Sequence, residues 1–446
     1  MFHPRHTAIL LAFTSFTTFS FAQGADANNT DISFDETTET FFPELRNILA
    51  GLGSKAPTLL EERERINEAR ANRMVADSKR GFRLSVGANA HSLHENRPNS
   101  DYYHRYRFLA SAYVRKPLYH WGALRAESRI AQLAETSASS AYLNYADNLA
   151  DHTRSDYLNL VLAAYEIELA QRSLELAKSN VEGMVERMRL GLVTELSVAE
   201  AKIAVLQQRI NLADTERLLA RSKLIFSEDT GFAGNLGIAI TDNFNDFAQT
   251  HSFAENLPVL AGFPTSIGLD SLERSIESEN QRITVAEAGL RPKLNLVGGF
   301  YQDQVDSLDS RSSQERNNAI VGVEANWALF DSSMSRGQKS AALARKRRFE
   351  MQLERETRRL RLEVQSIRKH LVALGRIIES GRQLVAAAVD RFEKSQIEFD
   401  RNRITPEIFF SSRLALDQAR LSLFRSVANY LDVRGQYERY LASVNN

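Results

Sequence analysis

At 446 residues the chain is long enough for several ordinary domains, and its 56 basic and 56 acidic side chains cancel to zero net charge, so nothing marks a nucleic-acid partner. The absence of cysteine excludes disulfides, thiolate metal sites, cysteine nucleophiles and a lipid carried on an N-terminal cysteine. Hydrophobic residues make up 43%, yet past the N-terminus no apolar run reaches the roughly 18 to 20 residues of a spanning helix, so if the chain crosses a membrane it does so as a β-barrel.

Residues 1–22 read as a secretory signal: Arg5 near the start, an uncharged stretch from Thr7 to Phe21, and Ser20-Phe21-Ala22 as a small-residue cleavage site before Gln23. The mature chain is then expected outside the cytoplasm. A polar segment follows from Gly24 to Thr40, then helical patterns from Phe42 to about Leu52 and from Pro57 to about Arg80. There the period changes to two. Leu84, Val86, Ala88 and Ala90 alternate with Arg83, Ser85, Gly87, Asn89 and His91, and Tyr106, Phe108, Ala110, Ala112 and Val114 alternate with Arg105, Arg107, Ser111 and Arg115. The two runs predict an antiparallel hairpin with strands at about 82–92 and 104–116, one face apolar and the other polar.

From about 119 to 190 there is no proline, and only Gly122 and Gly183 interrupt a helical pattern that would make a rod on the order of 100 Å. A return helix is expected at about 195–226, and residues 227–264 read as a loop-like segment between two halves. The second half, 265–446, replays the first: a helix from about Leu269 to Leu290, strands at about 293–302 and 319–329 separated by the polar stretch Gln302 to Asn318, and long helices at about 331–401 and 406–441.

The repeat is exact in phase. Leu160, Ile167, Leu174, Val181 and Met188 sit seven apart before the break at Leu190-Gly191-Leu192-Val193-Thr194, and Val198, Val205, Leu212, Leu219 and Phe226 do so after it. A strict heptad of apolar residues is the mark of a coiled-coil seam. Shifted by 211 positions, the same frame lands on Leu371, Ile378, Val385, Phe392 and Phe399, then on Phe409, Leu416, Leu423, Tyr430 and Tyr437, with Asn402 under Gly191 and Thr405 under Thr194. The first structural repeat is thus 23–226 and the second 265–446, each a strand hairpin followed by a long helix hairpin.

Four strands of about ten residues have the length of outer-membrane strands, but an open four-stranded sheet in lipid leaves two edges of unpaired backbone groups. Closure must come from other copies. Two copies give eight strands and a filled interior; three give twelve and a lumen, which favours a homotrimer with a pore.

With these features the chain resembles the TolC family of outer-membrane efflux and secretion channels. Leu190-Gly191-Leu192-Val193-Thr194 is similar to the first helix-tip motif of that family, and Trp327-Ala328-Leu329-Phe330-Asp331 to its strand-to-helix junction. The resemblance implies a mainly α fold with a small β part: a trimeric 12-stranded β-barrel in outer-membrane lipid, standing on a periplasmic α-helical coiled-coil barrel. It further implies a periplasmic adaptor protein that meets the tips and an inner-membrane transporter behind it. By that resemblance Gly191, Leu192, Val193 and Thr194, with Asn402, Arg403, Ile404 and Thr405, are the adaptor-facing residues. The chain departs from the family at the periplasmic mouth, where positions that often carry aspartates hold Ile408 and Ser411; the aperture candidates are Arg401, Arg403, Glu407 and Ser411. Small-molecule efflux is the favoured use, export of proteins through a type I secretion system the alternative, and a structural coiled-coil envelope protein a more distant one.

No enzyme is expected. The zinc-protease HExxH, the complete phosphate-binding loop and the GxSxG elbow are all missing, Gly51-Leu52-Gly53-Ser54-Lys55 reads as a helix terminus, and His91, His94 and His104 flank a polar strand end. No catalytic residue, cofactor or resident metal is assigned.

Overall fold

The alternating runs pair into one antiparallel sheet, β1 (Arg83–Glu95), β2 (Tyr103–Tyr119), β3 (Lys293–Ser307) and β4 (Ser313–Asn326), in the order β1-β2-β3-β4. The computed structural model describes residues 36–95, 103–234, 236–251, 253, 266–307 and 313–445; the expected signal segment and residues 254–265 lie outside them. Register carries the two-faced pattern across all four strands. Val86 stands opposite Ala112, Ala112 opposite Phe300 and Phe300 opposite Ala319, so one face is apolar from edge to edge. That face is open: Val86 is 77% and Val321 85% exposed. The other face carries a forked bond from Arg107 to Asp303 at 2.7 and 2.8 Å and an Arg115–Glu324 pair at 3.1 Å.

Strands β3 and β4 are longer than the alternation predicts. The stretch Gln302 to Asn318, read as a polar connection, is largely ladder, with Gln304 opposite Glu315 and Gln302 opposite Asn317. Apolar alternation stops near Phe300, but strand pairing needs only backbone groups, and Gln302 adds a side-chain bond to Glu315 at 2.9 Å. At the far end β4 stops at Asn326 rather than about 329, because the chain turns: the Trp327 indole donates to the Leu290 carbonyl at 2.9 Å, and Ser332 and Ser333 take positive φ.

Four long helices carry most of the chain: α4 (Ala123–Arg189) and α5 (Glu195–Thr230) form the first hairpin, α8 (Met334–Asp400) and α9 (Pro406–Asn445) the second. At 67 residues each, α4 and α8 are about 100 Å long. They form a row, α5 on α4, α4 on α9, α9 on α8; nearer the sheet α3 (Pro57–Ser78) and α7 (Ile267–Glu287) join it as α3 on α4, α4 on α7, α7 on α8. Since α3 leads into β1 and α8 follows β4, sheet and helix row end at the same two edges. Among the described residues no helix is long and apolar enough to cross a membrane.

The heptad seam is the core. Leu371, Ile378, Val385, Leu416, Leu423, Tyr430 and Tyr437 are all buried, and near the second tip Phe399 stacks on Phe409 at 4.8 Å. Halfway along the rods a collar is tied on. Helices α1 (Glu36–Phe41) and α2 (Pro43–Lys55) and, within the segment expected to be a loop, α6 (Asp242–Thr250) pack aromatic rings against the rods: Phe42 on Tyr157 at 5.5 Å, Phe244 on Phe42 at 5.4 Å and on Phe424 at 5.8 Å. Thr241 caps α6 by accepting the Phe244 amide, and Arg382 of α8 donates to the Ala248 and His251 carbonyls at its other end. Replacing the buried Phe244 by Ala should therefore cost about 3 to 5 kcal/mol of local stability. The expected outcome is loss of hydrogen-exchange protection confined to α6 and the turns it covers, with the sheet unaffected.

Candidate functional site

Each helix hairpin reverses through the same backbone device. Gly191, at φ 72°, follows α4; its N–H donates to the Met188 carbonyl and that of Leu192 to the Arg187 carbonyl, both at 2.9 Å. Asn402, at φ 56°, follows α8, with Asn402 N–H on Phe399 and Arg403 N–H on Glu398, both at 2.8 Å. These paired bonds satisfy the last carbonyls of a helix and require a left-handed residue, the conformation glycine and asparagine tolerate best. The return helices start differently. Thr194 caps α5 by accepting the Ser197 amide, whereas α9 begins with Pro406 in its first turn. The left-handed positions keep the repeat: Trp121 and Gly122 before α4 match Ser332 and Ser333 before α8, 211 residues on, as Asn402 matches Gly191.

The two tips lie side by side. Glu407, in the first turn of α9, rests against Gly183 of α4, with the Arg187 guanidinium 3.8 Å from its Oε1. A Cβ at Gly183 would overlap that carboxylate, so the helix interruption visible in sequence marks a close approach between hairpins. Above it, Asp417 of α9 is 3% exposed and ion-paired with Arg172 of α4, while Tyr165 approaches its Oδ1 at 3.4 Å. Burial first, and the Asp417 carboxylate after it, push the Tyr165 phenol up to about 12, so it stays a neutral donor. Glu166 and Arg425 bridge the same hairpins at 2.5 Å.

Of the residues proposed for the tips, Gly191, Leu192, Thr194, Asn402, Arg403 and Thr405 are exposed, and Val193 and Ile404 are half-buried. Leu192 at 70% sits between Leu190 at 66% and Leu196 at 68%, an apolar knob, whereas at the second tip Arg401 and Arg403 both face Glu398, at 3.6 and 3.5 Å. The four aperture candidates do not form one cluster. Arg401 and Arg403 stay at the turn, Ser411 bonds back to the Ile408 carbonyl at 2.8 Å, and Glu407 is turned between the hairpins. Missed by the sequence reading were Tyr165, Arg172 and Asp417, which sit among helical residues with no spacing to single them out; Gly183 was visible only as an interruption.

Residues 52–224 match the sequence model of the family described as outer membrane efflux protein. That match covers 173 of the 446 residues, and over it the chain is similar to outer membrane efflux proteins. The matched segment runs from the end of α2 through α3 and the first strand pair into the first helix hairpin, ending within α5, and the 211-residue repeat reproduces its strand and helix hairpins in the second half of the chain. In fold it is similar to the outer membrane protein VceC of Vibrio cholerae, with a TM-score of 0.71 and 16% identity over 91% of this chain and 98% of that one. It is likewise similar to the Campylobacter jejuni CmeC outer membrane channel, with a TM-score of 0.70 and 15% identity over 91% and 87%, and to the open state of the Neisseria gonorrhoeae MtrE outer membrane channel, with 0.62 and 14% over 88% and 89%. At such identities the likeness is one of fold. No protein of curated function matches the sequence.

The Gly183–Glu407 approach can be tested directly. Gly183→Leu should push Glu407 out from between the hairpins at about 1 to 3 kcal/mol, the usual cost of overpacking. Hydrogen exchange in the first two turns of α9 is the measurement. Faster exchange in Gly183→Leu that is restored by adding Glu407→Ala is the expected pattern; an uncorrected double variant would locate the strain elsewhere.

Proposed function

We propose that this chain is the exit duct of a tripartite export system, passing substrates delivered by an inner-membrane transporter and a periplasmic adaptor out across the outer membrane, with small molecules as the favoured cargo. The observation that carries this reading is the pair of coincident edges. A four-stranded sheet with an apolar face cannot lie in lipid with the backbone groups of β1 and β4 unpaired, and the helix row beneath it ends at the same two edges. Three copies joined edge to edge close both layers at once, giving twelve strands around a lumen and a helical tube below. The apolar face carrying Val86, Val321 and Val323 then meets lipid, and the face carrying Arg107, Asp303 and Asn89 lines the pore. The family match to outer membrane efflux proteins supports the same reading.

The protein extracted in detergent should have the native mass of three chains; a monomer with intact sheet structure would sink the reading. Val323→Arg should impair assembly, at about 2 to 4 kcal/mol if the position lies at mid-membrane depth, while Asn89→Arg should be tolerated. Glu324 is a poor lumen control, because it is paired with Arg115. Equal damage from both substitutions would mean that the faces are assigned the wrong way round.

The tips are proposed to dock the adaptor through Gly191, Leu192, Val193 and Thr194 on one side and Asn402, Arg403, Ile404 and Thr405 on the other. Gly191→Val, which forces a β-branched residue to positive φ at a cost of roughly 1 to 3 kcal/mol, is combined with Thr405→Arg. Trimer yield in the outer membrane should be unchanged, since the tips lie about 100 Å from the sheet by helix rise. Crosslinking of the tips to the adaptor and export of a substrate should both fail. Retention of both would remove the docking role from these residues.

A further inference from the structure

The chain is neutral as a whole, yet its charges are not spread evenly over the two faces of the sheet. On β2 Arg107 and Arg115 share the polar face, and Arg83 of β1 stands opposite Arg115. Lys293 of β3 lies four residues before Val297, the partner of Arg115, and so on the same side; Arg316 of β4 stands opposite Asp303, to which Arg107 is bonded. Over the stretches 83–91, 107–116, 293–305 and 314–326 this face carries those five bases and two acids, Asp303 and Glu324. The apolar face over the same stretches carries one charge of each sign, Lys116 and Glu315.

Both acids of the polar face are already taken. Asp303 accepts the forked bond from Arg107, at 2.7 and 2.8 Å, and Glu324 pairs with Arg115 at 3.1 Å. Arg83 therefore faces a like charge across the ladder, an arrangement that weakens strand pairing. Among the described residues Arg83, Lys293 and Arg316 have no carboxylate partner, and all three are exposed. Strand stability gives no reason to hold three free cations over one space, whereas a ligand of opposite charge in that space does.

We propose that the sheet lumen selects for anions, and that the cargo of the duct is anionic small molecules. This inference rests on the trimeric duct reading, which turns the polar face inward; the excess of three bases per chain becomes nine in a ring of three. Rings of Arg and Lys are the usual means by which a pore favours anions, and walls of low dielectric strengthen the effect by confining the field to the water inside. The bases also stand at two levels. Arg83, Arg115 and Lys293 lie at the end of the sheet that joins the helices, and Arg107 and Arg316 lie toward the strand turns. An anion leaving the first level meets the second, so binding at neither need be tight enough to stop passage.

The reversal potential across a planar bilayer under a potassium chloride gradient reads the selectivity. The native protein should show the sign set by chloride, and the triple variant Arg83→Gln, Lys293→Gln, Arg316→Gln should lose it. Lys293→Gln alone should give a partial loss. Lys116→Gln removes the same charge from the other face, where Lys116 rests over the Phe82 ring at 4.4 Å, and should leave the potential as it is. Fluorescence anisotropy of pyrenetetrasulfonate, a tetravalent organic anion, makes the same comparison in detergent without requiring open tips: native protein and Lys116→Gln should bind it at low salt and the triple variant should not. Native mass separates this inference from the reading beneath it. A monomer overturns the duct and the anion preference together. A trimer that conducts cations over chloride, that binds the organic anion no better than its triple variant, or that responds to Lys116→Gln as strongly as to Lys293→Gln overturns the preference and leaves the duct standing.

Discussion

The constraint on which the architecture turns is the backbone hydrogen bond at a sheet edge. Strands β2 and β3 are paired on both sides over most of their length, with a bulge at Pro117 to Tyr119, but β1 and β4 each present an outward row with no partner in the same sheet. In water an edge of this kind invites aggregation, and in hydrocarbon it costs several kcal/mol for each group. Completion by identical copies is the economical remedy, because the same edge pair then recurs at each junction. The helices inherit the geometry: a row that starts under one edge strand and ends under the other has no freedom to close differently from the sheet above it.

Within one chain the two hairpins are held together by more than apolar seams. Asp417 and Arg172, Glu166 and Arg425, and Glu407 against Gly183 all lie between α4 and α9. Buried ion pairs are poor contributors of stability compared with well-packed apolar residues, because the desolvation cost offsets most of the attraction. Their effect is on register. A slide of one hairpin along the other by a turn would leave Asp417 buried without its guanidinium and move Glu407 away from Gly183, where the missing side chain leaves room for it. Collar contacts act in the same sense at mid-height, where Arg382 holds the C-terminal end of α6 to α8. Sliding being costly, the two tips are held at a fixed offset from one another.

The fold was legible because its signals are repeated. A seven-residue period sustained through five apolar positions and reproduced 211 residues later in Leu371 to Phe399 left little freedom for any other arrangement of the rods. The strands were legible only where apolar and polar residues alternate; beyond Phe300 the ladder runs on through Gln302, Asp303 and Gln304, whose pattern carries no face. Helix α6 was missed because nine residues between glycine- and proline-bearing stretches give too short a period, and its stability comes from Phe244 packing on Phe42, just before α2, and on Phe424 of α9. The inter-hairpin pairs could not be read at all. Asp417 follows the seam residue Leu416 and looks like an ordinary charged step, and nothing local connects Glu407 with a glycine 224 residues earlier.

The repeat conserves backbone while letting side chains diverge, and the tips show where that matters. Gly191 and Asn402 adopt the same left-handed conformation and make the same pair of hydrogen bonds, so the shape of the turn is equal in the two halves. What they display is not. The first tip offers Leu190, Leu192 and Leu196; the second offers Arg401 and Arg403, held against Glu398. In a three-copy ring the end of the tube would carry six turns of one shape with apolar and basic surfaces in alternation. A partner that read only shape would meet six equal positions; one that also read charge would meet three pairs. The second case is the more discriminating, because the desolvation of Leu192 rewards an apolar groove while Arg401 and Arg403 penalise one, so the side-chain divergence fixes rotational register that the backbone alone leaves sixfold degenerate.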